Sequence, residues 1–458
     1  MRSIVKRSPR RGGVLKVAII VVTMSGCSFI PERQPLGVPM PERFSFNVDT
    51  GAGSTSGTWW EGYNDPALND IIAVGLAQSP IMQSARAGLE VARHDATAAG
   101  IGVAGDATAT VNTTGGGSST RSVGLGAELL PFGRRNAELA NADARYNAAR
   151  NAFLDTQRLF IRNTATEYVN LRYFQALLVV RQNEQRLARS SIDAAVSRGE
   201  LGASTEIDEL DARAYLADVQ VRIASTEASI AEHRHRLAGL LGVTPDNIPA
   251  VLRHSGAQPV PGGASDIGVP ADLLRNRPDV RRAEFEYETA LADIGEARAN
   301  RYPSLSLNGT IRSTGSGDPS LGLGLSLPVF TQPTLAAEED AAGARADLAL
   351  AEWRNIVIQA VNEVELALAG ISSASQGVAA SRRSERLHTE RVALLRNAFE
   401  TAQTFTLVDV IEADQELARS REQTLSATRT LGLEYLALWT ALGCCAADTD
   451  TEVVAQAF

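Results

Sequence analysis

Two pairs of carboxylates stand out by their spacing: Asp208 with Asp211, and Asp409 with Glu412. Three residues apart on a helix, both members of a pair share one face. Repeated around a symmetry axis, such pairs become rings that attract cations and repel anions at a narrow mouth. Crowding of like charges in a ring raises some of their pKa values. Phe405 and Val408 lie just ahead of the second pair and supply apolar bulk that narrows the same opening. The competing reading of all four acids is a solvated helix face.

Other chemistry is scarce. His233 and His235 stand two apart and diverge on a helix. Cys27, Cys444 and Cys445 fit neither a zinc site nor a disulfide framework. No P-loop, G-x-S-x-G, H-E-x-x-H or dinucleotide fingerprint occurs. The Gly-x-Gly pieces at Gly124/Gly126 and Gly322/Gly324 fall in strand-like segments and open no phosphate-binding turn. The expectation is no enzyme, no metal and no small-molecule cofactor.

The chain of 458 residues has 44 Lys+Arg against 53 Asp+Glu. Six of the basic residues (Arg2, Lys6, Arg7, Arg10, Arg11, Lys16) precede position 27, leaving 38 against 53, or −15, for the remainder. So acidic a chain lacks the basic footprint that nucleic acid requires. The basic start runs into a short apolar stretch, Val17 to Met24, then Ser25-Gly26-Cys27. This is the anatomy of a secretory signal, too short to span a bilayer. The cysteine after Ser-Gly resembles a bacterial lipobox, in which the mature chain begins at a cysteine carrying lipid on sulfur and amine. Met24 stands where leucine is commoner. Ser28 stands where aspartate would favour the inner membrane, so the resemblance implies the outer one. An ordinary signal peptide with a coincidental cysteine is the alternative.

The elements that must position these residues occur twice. Gly124-Leu125-Gly126-Ala127-Glu128-Leu129-Leu130-Pro131-Phe132 parallels Gly322-Leu323-Gly324-Leu325-Ser326-Leu327-Pro328-Val329-Phe330. Asp208 matches Asp409, and Gly242 matches Gly443, at one shared offset of 201 residues. The expected division is a signal peptide over 1–26, a lipidated linker over 27–58, and a first repeat over 59–242. A linker over 243–270, a second repeat over 271–443 and a tail over 444–458 follow. Each repeat reads helix, strand, strand, long helix, shorter helix.

The entering helix is expected to run unbroken from Asp65 to about Ala104. Period-two segments follow at 107–113 and 123–129, and again at 304–311 and 321–327. Leu305, Leu307 and Ile311 share one face; Ser304, Ser306, Asn308 and Thr310 share the other. Apolar-out, small-polar-in strands of this length are the signature of a membrane β-barrel. Four strands cannot close one, and open edges in lipid cost several kcal/mol per unsatisfied group. Two copies give eight strands; three give twelve and room for a channel. Helices over 134–198 and 335–402 reach about 100 Å each, and neither shows an apolar run approaching a membrane span. Ala140, Ala144, Ala148 and Ala152 lay a small-residue stripe for close helix packing. The helices over 65–104 and 204–241, stacked end to end, match one long helix, so the 243–270 linker falls at a middle belt.

Several motifs carry a family resemblance. Trp59-Trp60-Glu61-Gly62-Tyr63-Asn64-Asp65-Pro66-Ala67-Leu68, Leu274-Arg275-Asn276-Arg277-Pro278-Asp279-Val280, Ile294-Gly295-Glu296-Ala297-Arg298-Ala299 with Tyr302-Pro303-Ser304-Leu305, and Pro131-Phe132-Gly133-Arg134 are similar to those of the TolC family of outer-membrane efflux proteins, in its lipoprotein (NodT-type) branch. The resemblance covers about 59–443. It implies an α+β membrane protein: long helices forming a periplasmic α-barrel, and four β-strands per chain contributing to a 12-stranded outer-membrane β-barrel shared by a homotrimer. It implies a passive export duct, with a periplasmic adaptor and an inner-membrane efflux pump of RND type as partners, and outer-membrane lipid around it. Cargo selection then lies with the pump.

Acidic residues matching Asp409 and Glu412 sit at that family's constriction. The adaptor is expected at the same helix tips, around Gly199, Leu201, Gly202 and Ser204, and 403–407. Gln403 departs from the glycine common there. Trp59 and Trp60 are expected to pack at the belt. A lipid-anchored periplasmic coiled-coil scaffold or adaptor without a pore is the alternative function.

Overall fold

A proline, Pro80, divides the entering helix. The computed structural model describes residues 29–39, 41–42, 44, 58–100, 105–113, 119–129, 133–200, 205–262, 277–312, 320–401 and 405–443. Helix α1 (Pro66–Gln78) is capped by the Asp65 carboxylate, which accepts from the amides of Ala67 and Leu68 at 3.0 and 3.3 Å. It stops at Ser79 (φ −60°, ψ 132°), and α2 (Pro80–Gly100) begins one residue later. The expectation of one unbroken helix to Ala104 is therefore corrected. The Pro80 ring disfavours helical backbone at the residue before it. Residues 101–104 lie outside the described residues.

Strands β1 (Gly105–Thr113), β2 (Ser119–Leu129), β3 (Ser304–Arg312) and β4 (Ser320–Ser326) form one antiparallel sheet in that order. The register pairs Val123 with Ile311, Ala127 with Leu307, and Leu307 with Leu323. Apolar residues from all four strands therefore share one face, where Val111, Leu125, Leu321, Leu323 and Leu325 are exposed. The other face carries hydroxyls, and Thr110 with Ser122, and Thr310 with Ser320, hydrogen-bond across strands at 2.6 Å. The pleat thus sorts the leucines and hydroxyls as the sequence alternation required.

The remaining helices are α3 (Arg134–Glu200), α4 (Glu206–Leu241), α5 (Pro278–Ala299), α6 (Gln332–Thr401) and α7 (Leu407–Leu442). With 67 and 70 residues, α3 and α6 span about 100 Å each. One expectation changes: α6 does contain an eighteen-residue window apolar enough to match a membrane span by length and composition. Part of its apolar surface is covered within the protein, while Leu348, Ile358 and Leu366 stay exposed. Trp353, Val357, Val364 and Leu368 are buried in the protein's main core.

Both repeats end alike. Helices α4 and α7 each have 36 residues and close on a left-handed glycine, Gly242 (φ 71°) and Gly443 (φ 75°). At Gly242 a Cβ would also approach Pro80 Cδ to 2.2 Å, so the site requires glycine twice over. In each repeat a last carbonyl is taken up by the residue that precedes a helix-starting proline, Pro80 or Pro278. The Ser79 hydroxyl donates to Leu240 O at 2.8 Å, and Arg277 donates to Ala441 O at 2.9 Å.

The main core lies at mid-height. Trp59, Trp60 and Tyr63 are buried there with Tyr435 and Trp439, and the Tyr63 hydroxyl donates to Gly432 O at 2.5 Å. Belt packing of the two tryptophans is thus observed. Arg172 fastens the following loop, donating to Val251 O at 3.3 Å and His254 O at 3.0 Å. The alanine stripe is rotated from its expected place. Of Ala140, Ala144, Ala148 and Ala152 only Ala144 is fully buried, in a line with Ala137 and Asn141. The spacing alternates four and three because a helix turn is 3.6 residues, so a strict four-residue row drifts off the contact.

Candidate functional site

The free ends of the α3–α4 and α6–α7 hairpins receive the predicted acids, and the two members of each pair differ in their surroundings. Asp208 and Asp409 sit at the third position of α4 and α7, behind the N-caps Thr205 and Thr406. The Asp208 carboxylate accepts from the Thr205 amide at 2.7 Å and hydroxyl at 2.9 Å; Asp409 accepts from the Thr406 amide and hydroxyl, both at 2.7 Å. The threonine oxygens accept in turn from the aspartate amides, both at 3.3 Å. These are reciprocal capping boxes, which satisfy donors that a helix start leaves unpaired.

Hydrogen bonds from the Thr406 side chain, then from its backbone amide, hold the Asp409 carboxyl below its ordinary pKa. Within one protomer the shift at Asp409 is thus opposite in direction to the expected effect of crowding. Asp211 and Glu412, one turn further in, are exposed.

Around the second pair the tip is open. Phe405, Asp409 and Glu412 line a groove of about 560 Å³ together with Leu387, Glu390, Arg391, Leu394, Leu395 and Ala398 of α6. Arg391 is also paired with Glu416, so the groove's remaining charges are acidic. Sequence reasoning missed its apolar floor, although Leu387 and Leu394 recur at a seven-residue interval readable on a helix, with Leu395 next to the second. Val408 is half-buried, whereas Leu407 before it is buried and Phe405 is exposed. Leu407 and Ile411 join Ala188, Ala195, Ala212, Tyr215 and Val219, so the start of α7 is seated on the α3–α4 hairpin.

Above this seat lies a charged network whose one local signal is the three-residue spacing of Arg181 and Glu184. Glu184 accepts from the Tyr215 hydroxyl at 3.0 Å, from Arg222 at 2.7 Å and from Arg181 at 3.1 Å. Arg181 also pairs with Glu422 of α7. Burial, then the neighbouring Glu184, push the Tyr215 hydroxyl far above its usual pKa. It is therefore a donor at physiological pH.

Gly199 has open space where a side chain would project. Leu201, Gly202, Ser204, Gln403, Cys27, Cys444 and Cys445 lie outside the described residues. Among the described residues no group of three or more His, Cys, Asp or Glu side chains is placed to hold a metal.

A family model described as "Outer membrane efflux protein" matches residues 72–243 and 269–444. The chain is 28% identical over 449 residues to Nodulation protein T of Rhizobium leguminosarum bv. trifolii, covering 92% of this chain and 95% of that one. It is 26% identical over 406 residues to the probable efflux pump outer membrane protein TtgC of Pseudomonas putida, covering 81% and 82%. Among solved structures, the outer-membrane channel OprN superposes with a TM-score of 0.79 at 23% identity, covering 91% of this chain and 99% of that one. The open-state MtrE outer membrane channel of Neisseria gonorrhoeae superposes at 0.78, also at 23% identity, covering 92% and 98%.

Proposed function

The chain belongs to the outer membrane efflux protein family, and from that premise we propose that three copies form one continuous export duct whose periplasmic mouth is narrowed by Asp409 and Glu412. The family is a non-enzymatic transport type that works with periplasmic adaptors and inner-membrane pumps, and the chain is an outer-membrane efflux channel reaching into the periplasm. Three four-stranded sheets supply the twelve strands that leave an open lumen, and no sheet edge remains in lipid. Cys27 carries the lipid that holds the mature N-terminus to the leaflet, because acyl chains contribute about 0.8 kcal/mol per buried methylene. An adaptor docks at the tips around Gly199, Leu201, Gly202 and Ser204, opposite an RND-type pump.

At the mouth, threefold repetition turns Glu412 into a ring, with Asp409 beside it and Phe405 forming an apolar collar. Asp208 and Asp211 form the outer acidic ring on the other hairpin. Val408 sets the bore through its packing. The observation that carries this reading is the meeting of Asp409, Glu412 and Phe405 on one open groove at the free end of α6 and α7.

Single-channel recording in planar bilayers tests it. Glu412→Gln keeps volume and removes charge, and is expected to change conductance and lower cation preference. Asp409→Asn should act in the same direction. If both variants conduct and select like the parent, the gate assignment is wrong.

A further inference from the structure

The sheet register puts one charged residue on the apolar face. Arg121 stands opposite Val111 on β1, and two residues before Val123 on its own strand, so it shares a face with Val111, Val123, Leu125 and Ala127. Among the described strand residues whose side chains are placed, that face carries no other charge. Arg121 is exposed. It lies on an inner strand of the four, since β2 is flanked by β1 and β3, so strands of another subunit added at the edges leave its face uncovered.

Its height explains why it is tolerated. Arg121 is eight residues along β2 from Leu129, the partner of Leu305 at the helical end of the sheet. At ~3.4 Å per residue and a tilt of about 40°, that is roughly 20 Å of membrane depth. Leu327, Val329 and Phe330, the last 98% exposed, extend the apolar surface further toward the helices. Tyr302, paired with Phe29 at 4.9 Å between ring centroids, stands at the same level. The whole then approaches the ~25 Å apolar band of an outer-membrane barrel, with aromatic residues at its periplasmic edge. Arg121 marks the opposite edge. A guanidinium costs several kcal/mol at the bilayer midplane and almost nothing at the interface. Its planar fork matches the oxygens of a phosphate.

We propose that Arg121 binds the phosphate of an anionic lipid headgroup in the outer leaflet and so fixes the depth of the barrel. The occupant is lipid because the neighbouring surface of Val111, Val123 and Leu125 suits acyl chains. Free phosphate would gain nothing from that surface.

The test is native mass spectrometry of the detergent-purified oligomer titrated with phosphatidic acid or with phosphatidylethanolamine. Phosphatidic acid should be retained over phosphatidylethanolamine, and Arg121→Gln should lower that retention about fivefold per site. Arg121→Lys should keep part of it, and added inorganic phosphate should not displace the lipid. The sequence of the β3–β4 connection holds one carboxylate, Asp318, so Asp318→Asn is run alongside and should leave retention unchanged. The proposal fails if Arg121→Gln retains lipid like the parent, if the two lipids are held equally, or if Asp318→Asn alone gives the same loss. Should Arg121→Gln not assemble, the lipid preference of the parent and of Arg121→Lys decides the matter.

Discussion

The α3–α4 and α6–α7 hairpins open their second helices with the same device and then diverge. Thr205–Asp208 and Thr406–Asp409 are capping boxes of nearly identical geometry, 201 residues apart. Behind the first, the carboxylate of Glu184 is 2% exposed and receives three donors, one of them on Arg181, itself 6% exposed. Behind the second, Asp414 is just as deeply buried but meets Arg396, whose side chain is 39% exposed. Burial pushes the Asp414 carboxyl above its usual pKa, and Arg396 offsets only part of that. Leu387 and Leu394 nearby are exposed. One hairpin is thus a cross-braced strut, the other a strut with an open groove. Duplication preserved the helix start, which is local, while the shaft contacts were free to specialise.

The largest effect should come from the brace. Glu184→Ala leaves Arg181 buried without its full set of acceptors and is expected to cost about 3–5 kcal/mol. Asp414→Ala should cost about 1–2 kcal/mol, because Arg396 can turn to water. Heat resistance of the oligomer and denaturant unfolding measure both. Equal losses would remove the contrast between the hairpins.

Where the hairpins agree, the variants should agree. Thr205→Ala and Thr406→Ala are each expected to cost about 1 kcal/mol and to speed amide exchange in the first turn of α4 and of α7. A large inequality would mean that the two caps bear different loads, as they would if an adaptor leaned on one.

The smallest effect is in pH. The folded-state pKa of Asp409 is depressed, so its contribution is present above the unfolded value and lost as pH falls through the folded one. Protection of the first turn of α7 should therefore persist through the ordinary carboxylate range and fade only in more acidic solution. In Thr406→Ala that fading should begin at higher pH. Hydrogen exchange across an acid series would show it.

The acids at the tips were readable from their three-residue spacing, and the leucine–serine alternation of β3 from its period of two; the T-x-x-D caps went unread, although that pattern too is short-range. The break at Ser79 was readable too, since Pro80 announces it, but an alanine-rich stretch on both sides hid the stop. Glu184 was not readable. In sequence it is one more acid on a charged helix, and Arg222 and Glu422, which settle its environment together, lie far along the chain. The apolar window of α6 is by contrast a property of the sequence, and the structure adds only which of its residues are covered. Composition reports how much apolar surface a helix has, and says nothing of which neighbour covers it.

By itself the sequence determined the two repeats, the strands with their two faces, the long helices and the places where helices start, because each follows from contacts within a few residues. Tertiary structure alone decided which charges are buried, which buried acid is cross-braced, and which hairpin keeps an open groove. Those outcomes depend on strands and helices meeting across large sequence separations, where burial, and not residue type, sets what a side chain can do.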